Sequence, residues 1–363
     1  MKALISTIAC ALLSTLIADV NMECCMEPDP CCGVSYELYG DILILQPNGS
    51  HFYYGAEAIG IDPNIPLGVL SPNWNILEIN PDYHLGFEVG ASVLFKNSNI
   101  NVELNWERVN SNDKDTFVAA DVTGDMVGPL FDIGPNSSAY QVATGKVTSR
   151  FDEARLNFGK KFSFCDRLYT NFYAGVDFAR IKQTMSSTFS NFADTVSRTI
   201  SGTSTFTGGG PDVGINYDYR MFDHFFFTGN SAFSLFMGQL KNNNTFTSFS
   251  PFVASVGNPV PNIQKTYVKN RAQLVPGFEQ KLGFSYQMIW DSVSLNLEIG
   301  YQCQVYINAI QTVDMASGQA VPTDIGVIPA DEIPGTGVYA LGFARTLSNY
   351  ILTGPYASLA LDF

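Results

Sequence analysis

Three features predict the fold class. Apolar and polar side chains alternate at every second position, short and long connections alternate strictly, and the chain ends in an aromatic residue preceded by apolar ones at alternate positions. Together they point to an all-β protein, a transmembrane antiparallel β-barrel of about ten strands. Composition agrees. Charged residues are 15% of the 363, against about 25% in soluble domains, and hydrophobic residues reach 46%. Mean hydropathy is nevertheless only +0.06, too polar for a bundle of membrane helices. A barrel accounts for both values, because each strand turns apolar side chains to lipid and polar ones to the lumen. The 27 Phe and 17 Tyr supply material for girdles at the two interfaces. The net charge of −14 repels phosphate backbones and excludes a nucleic-acid partner.

The N-terminus has the pattern of an export signal. Lys2 gives a positive start, Ala3 to Ile17 is apolar apart from small Ser and Thr, and Ala18 closes the run before Asp19. The run is too short to span a bilayer comfortably, and no later stretch reaches about 18 apolar residues. The expected organisation is a signal peptide at 1–18, a cysteine-rich periplasmic segment at 19–35, and an outer-membrane barrel at 36–363.

Alternation locates the strands. Ile100, Val102, Leu104 and Trp106 interleave with Asn101, Glu103, Asn105 and Glu107. Val293 through Tyr301, Val213 through Tyr219 and Leu85 through Phe95 behave the same way. The expected strands are 36–46, 83–95, 99–109, 150–162, 168–182, 209–220, 225–238, 270–286, 291–306 and 347–363. Most match the 9–11 or more residues that a tilted strand needs to cross a bilayer. Four short connections (96–98, 163–167, 221–224, 287–290) alternate with five long ones (47–82, 110–149, 183–208, 239–269, 307–346). Short periplasmic turns and long extracellular loops give this asymmetry when both termini are periplasmic. Counting 51–58 as a further strand would break the even parity. Gly208, Gly209 and Gly210 imply a flexible or closely packed backbone; a phosphate cradle would need a following helix and Lys.

The ending Leu359, Leu361, Phe363 looks like a signal for the barrel-assembly machinery, with Tyr356 one place off its usual leading aromatic. Seven cysteines occur. Cys10 leaves with the signal, Cys24, Cys25, Cys31 and Cys32 cluster ahead of the first strand, and Cys165 lies in a short turn. Export into an oxidising compartment makes these five disulfide candidates, with envelope partners or other copies of the chain as cross-linking partners. The spacing and the lack of a nearby His argue against zinc. Cys303 has lipid-facing parity. The sequence calls for no metal and no cofactor.

Several segments together resemble the Legionella major outer membrane protein family, including the porin-like sets of chlamydia-related bacteria. These are the tyrosine-containing first strand from Tyr36 to Leu45, Gly-Phe-Glu-Val-Gly at 86–90, Phe-Asp-Glu-Ala-Arg-Leu at 151–156, Gly-Val-Asp-Phe-Ala at 175–179, Gly-Tyr-Gln at 300–302, and the ending Gly-Pro-Tyr-Ala-Ser-Leu-Ala-Leu-Asp-Phe. The chain departs from the family pattern at Gln302, where an acidic residue is usual. The resemblance implies a pore-forming role in the outer membrane, and the cysteine cluster is similar by analogy to disulfide-linked chlamydial envelopes.

Strand parity sends Asp41, Glu88, Glu103, Glu107, Glu153, Arg155, Asp177, Asp212, Asp218, Arg220, Glu279, Lys281 and Glu298 into the lumen. Acidic residues outnumber basic ones ten to three in this set, so a water path through it would favour cations. The expected function is passive diffusion of small hydrophilic solutes or ions, with a structural role for the cysteines. Two alternatives stand beside it. One is an adhesin or structural barrel with a plugged lumen, since ten strands enclose a narrow interior. The other is an outer-membrane protease built around His84 and nearby Asp82, although no Ser–His–Asp set or His-Glu-x-x-His motif is present.

Overall fold

A computed structural model describes residues 33–49, 51–59, 73–119, 126–128, 140–165, 167–190, 192, 197–249, 262–290, 293–319 and 338–363. Ten antiparallel strands form a ring: β1 (Val34–Asn48), β4 (His84–Phe95), β5 (Ile100–Val118), β7 (Val142–Cys165), β8 (Leu168–Ser190), β9 (Ser197–Phe222), β10 (Phe225–Phe249), β11 (Asn262–Trp290), β12 (Val293–Gln319) and β13 (Val338–Asp362). Each pairs with its neighbour in the chain, and the first strand closes the barrel on the last, with Glu37 opposite Asp362 and Asn48 opposite Ile351. Closure leaves no unpaired edge among them. The three remaining strands, β2 (Tyr53–Ile59), β3 (Asn73–Glu78) and β6 (Met126–Gly128), form a separate small sheet in the order β3-β2-β6. The segment 51–58 is thus a strand, but one that sits outside the ring and leaves its even parity intact.

All ten expected barrel strands are present, and most run longer than expected at one end. β9 starts at Ser197 instead of 209, β10 continues to Phe249 instead of 238, and β12 continues to Gln319 instead of 306. These extensions lie on the side of the long connections. Segments such as Ser197–Thr207 and Asn242–Thr247 carry Thr, Ser and Asn on both faces, so apolar–polar alternation fades although β-propensity persists. Outward residues there have no apolar medium to face. At the opposite end the links are short: 96–99, 166–167, 223–224 and 291–292.

The outer face carries a belt of exposed apolar side chains, among them Ile42, Leu85, Phe178 and Ile299. Its margin toward the long connections is marked by Trp106, edge-on to Phe87 at 5.2 Å and overlain by Arg108. Arg108 and Arg150 both pair with Asp152, at 2.8 and 2.9 Å. Toward the short turns, Lys160 lies over Phe162. Between Asp152 and Lys160 the outward residues of β7 are Ala154, Leu156 and Phe158. That length of strand is about 26 Å at ~3.3 Å per residue, and a tilt of roughly 40° reduces it to about 20 Å of thickness.

Glycines make room for rings lying flat on the inner wall. A Cβ on Gly90 would fall 2.3 Å from Cζ of Tyr39. Gly208, Gly209 and Gly210 belong to β9 itself, and a Cβ on Gly210 would fall 2.0 Å from the Leu235 carbonyl oxygen. Close backbone packing explains the run.

Candidate functional site: the layered interior of the barrel

Inward side chains change character in layers along the barrel axis. Nearest the turns is an acidic vestibule of about 250 Å³. Glu37, Glu103, Asp218 and Glu298 line it together with Lys161. Tyr39 donates to Glu103 at 2.7 Å, and Tyr356 donates to Glu298. Amides of Asn101, Asn171 and Asn230 complete a wettable wall.

Above the vestibule lies a belt of ion pairs that cross the lumen. Lys281 on β11 reaches Glu88 on β4, with Asp41 at 3.6 Å and Glu279 at 3.8 Å. Arg155 on β7 pairs with Glu153, Glu279 and Asp177. Gln304 donates to Glu107 at 2.7 Å, and the Ser234 hydroxyl lies 3.2 Å from Asp177 and 3.1 Å from Asp212, with one proton to donate between them. Seven buried carboxylates (Asp41, Glu88, Glu107, Glu153, Asp177, Asp212 and Glu279) therefore surround two cations. Gln302, fully buried, is in register with Lys281.

The third layer is apolar. Phe206, Phe236, Tyr306, Phe151 and Tyr350 run from β9 across to β7 and β13, with successive centroids 6.5, 5.8, 5.3 and 6.0 Å apart. Leu43, Leu45 and Leu352 fill the remaining space, each 0% exposed. This septum closes the lumen between the charged half and the loop half.

Beyond the septum is a second cavity of about 110 Å³, bounded by His51, Gln183, Asn242, Asn244 and Gln311 with Tyr54 and Phe189. Its roof is the small sheet: Tyr54 and Leu77, with the flanking Phe52 and Ile79, cluster with Ala143, Val147 and Phe189 of the barrel wall. Tyr54 donates to Asp115 at 2.9 Å, fixing the sheet to β5. Burial holds the His51 imidazole below its ordinary pKa, in part offset by the Gln183 contact at 2.6 Å.

The charged residues assigned to the lumen by parity are all on the inner wall, and eight of the thirteen border the vestibule cavity. Glu103, Asp218 and Glu298 line it with the belt residues Asp41, Glu88, Arg155, Glu279 and Lys281, while Glu107, Glu153, Asp177 and Asp212 are packed within the belt. Arg220 stands near the turn end, where it donates to Tyr169 at 2.7 Å and overlies both Tyr169 and Phe226. The His84–Asp82 pair on which the protease alternative rested is not formed. His84 bonds the Asp113 carboxylate at 2.8 Å, and Asp82 contributes its backbone N–H to the same oxygen. The segment before β4 is thereby pinned to β5.

Parity also placed residues that were overlooked. Glu37 and Lys161 share the phase of Asp41 and Arg155, and Phe151, Phe236, Tyr306 and Tyr350 lie in expected strands at inward positions. Counting only charges hid the septum. The loop-half amides fell within segments read as loops. Of the assembly-signal residues, Leu359 and Phe363 are exposed and Leu361 is half-buried, while Tyr356, one place off the pattern, is turned inward and buried. Cys24, Cys25, Cys31 and Cys32 lie outside the described residues; Cys165 ends β7 at a turn, and Cys303 is a free thiol.

Among solved structures, the chain is similar to the outer membrane protease OmpT from Escherichia coli (11% identity, 91% of this chain and 97% of that chain, TM-score 0.41). It is also similar to the toluene transporter TodX of P. putida (8%, 93% and 90%, TM-score 0.30) and to a Pseudomonas aeruginosa FadL homologue (10%, 91% and 90%, TM-score 0.26). A search of curated proteins returned no match. The family model described as Legionella pneumophila major outer membrane protein precursor matches residues 29–363. The chain therefore belongs to the Legionella major outer membrane protein family and resides in the bacterial outer membrane.

Proposed function

We propose that the protein is a porin-like channel that favours cations and is closed in this conformation at its aromatic septum. The observation that carries this reading is the seven-to-two excess of carboxyl groups over cationic side chains in the belt, continuous with the acidic vestibule. Where water reaches them, ionised carboxylates in such a ring lower the barrier to cations and raise it to anions. The short turns and the vestibule face the periplasm, and the extended strands with the small sheet face outward. Opening requires Phe151, Tyr306 and Tyr350 to part.

No catalytic role is assigned to His84, whose ring is engaged in holding residues 81–84 against β5. The N-terminal cysteines supply a second, structural role as cross-links in the envelope. Non-reducing electrophoresis of envelopes tests that role: monomer with and without reductant would remove it.

Single-channel recording of the refolded chain in a planar bilayer under a salt gradient tests the channel. Discrete steps with a reversal potential on the cation side support it. Selectivity for anions would overturn the charge argument. Silence from folded barrel, including a variant with the septum opened, would leave a structural or adhesive barrel.

A further inference from the structure

The belt and the loop-half cavity differ in chemistry. No Asp, Glu, Lys or Arg is among the described residues bounding the upper cavity. Its polar groups are neutral amides, hydroxyls and one imidazole, and burial favours the uncharged form of that imidazole. Asn242 donates to the Gln311 carbonyl oxygen, and Asn244 donates to Asn242, which arranges the amides in a row along the wall. Gln183 Oε1 and Gln311 Nε2, an acceptor and a donor on two buried residues, have no protein partner. Tyr54 and Phe189 add aromatic surface under the small sheet.

We propose that this cavity is a binding site for a neutral sugar ring. Planar amides present paired donors and acceptors suited to vicinal hydroxyls, and aromatic surface suits the C–H face of a pyranose. A mostly apolar hollow with a few placed polar groups is the usual form of a small-molecule site. Uncharged walls set the selectivity, because a carboxylate or ammonium on the ligand would lose its hydration without gaining a counter-charge. About 110 Å³ of space holds roughly eight waters at 10–15 Å³ each on the same scale, comparable to one monosaccharide. The site deepens the channel reading by naming a solute class for the outer side of the septum. Only transport, not binding, depends on that reading.

The test is equilibrium dialysis of the folded full chain in detergent micelles against radiolabelled D-glucose, with D-glucuronate and D-glucosamine as charged controls. Saturable glucose binding is expected in the millimolar range or tighter, with both charged sugars at least tenfold weaker. Gln183→Leu and, independently, Asn244→Leu should each weaken binding at least tenfold while the unheated protein still migrates as folded barrel on electrophoresis. The separate variants guard against a local packing defect in one of them. Absence of saturable glucose binding, equal binding of the charged sugars, or undiminished binding by both folded variants would overturn the proposal. Bilayer conductance is read separately. Binding without conductance, in the wild type and in a septum-opened variant alike, would retain this site and remove the channel; conductance without binding would do the reverse.

Discussion

Tyr306 on β12 donates a hydrogen bond to Glu153 on β7 at 2.9 Å, and these strands stand opposite each other in the ring of ten. One side chain therefore spans the lumen and joins the septum to the ionic belt. Removing it should open the barrel. Tyr306→Ala is expected to raise single-channel conductance several-fold, and Phe151→Ala should act in the same direction. Aromatic truncations in packed cores cost about 3–5 kcal/mol, which a lowered urea midpoint would report. Unchanged conductance in both variants would mean that the septum is not the barrier.

Lys281 approaches three carboxylates from three strands, Asp41, Glu88 and Glu279, of which Glu279 is held more closely by Arg155. Lys281→Met leaves Asp41 and Glu88 facing one another without compensation, while Glu279 keeps Arg155. Removing one partner of a buried ion pair typically costs about 3–5 kcal/mol. The variant should unfold at lower urea, and its open channel should shift further toward cation selectivity. A double variant, Lys281→Met with Glu88→Gln, should recover part of the stability because it deletes the charge most directly exposed. Equal losses in single and double variants would place the destabilisation elsewhere.

Much of this architecture was legible because a bilayer imposes a two-residue period on every crossing strand. Leu85 through Phe95 could hold their pattern only with one face in lipid, and the order of strands around the ring followed from the alternation of short and long links. Two parts were not legible for physical reasons. Where strands leave the bilayer, as in Ser197–Thr207, both faces meet polar surroundings and the period disappears although the backbone stays extended. Cross-lumen partners were also hidden. Glu107 and Gln304 are far apart in sequence and meet through barrel curvature, which parity does not encode. Parity gave the inward direction of each side chain but could not show that opposite walls come close enough to touch.

The apolar belt supplies a test of which strand segments lie in lipid. Ile299 is 67% exposed on the outer face of β12, and a cation there would face hydrocarbon. Ile299→Arg should destabilise the barrel in bilayers by about 2–4 kcal/mol if the position lies near the midplane. Thr207 is also outward but is in register with Arg180, level with Asp152. Thr207→Arg should change stability by no more than about 0.5 kcal/mol, as surface substitutions commonly do. Equilibrium unfolding from lipid vesicles compares the two, and equal costs would misplace the margin.

His51 connects the first barrel strand to the small sheet, and burial lowers its pKa from the ordinary imidazole value of 6.5. The unfolded chain therefore binds a proton more readily than the folded one between the two values. Stability follows the difference in bound protons, so it declines as pH falls through this window. The contribution is fully present above pH 6.5 and is lost progressively down to the depressed folded value. Local release of the sheet costs less than global unfolding, so the effect should appear first at residues 51–59. Hydrogen exchange there is expected to accelerate from pH 7.5 to pH 5, after correction for the intrinsic rate, more in the wild type than in His51→Gln. The neutral amide can keep a hydrogen bond to Gln183 but cannot titrate. If both proteins respond alike, carboxylates elsewhere govern the acid response, and His51 serves only to pack beneath the sheet.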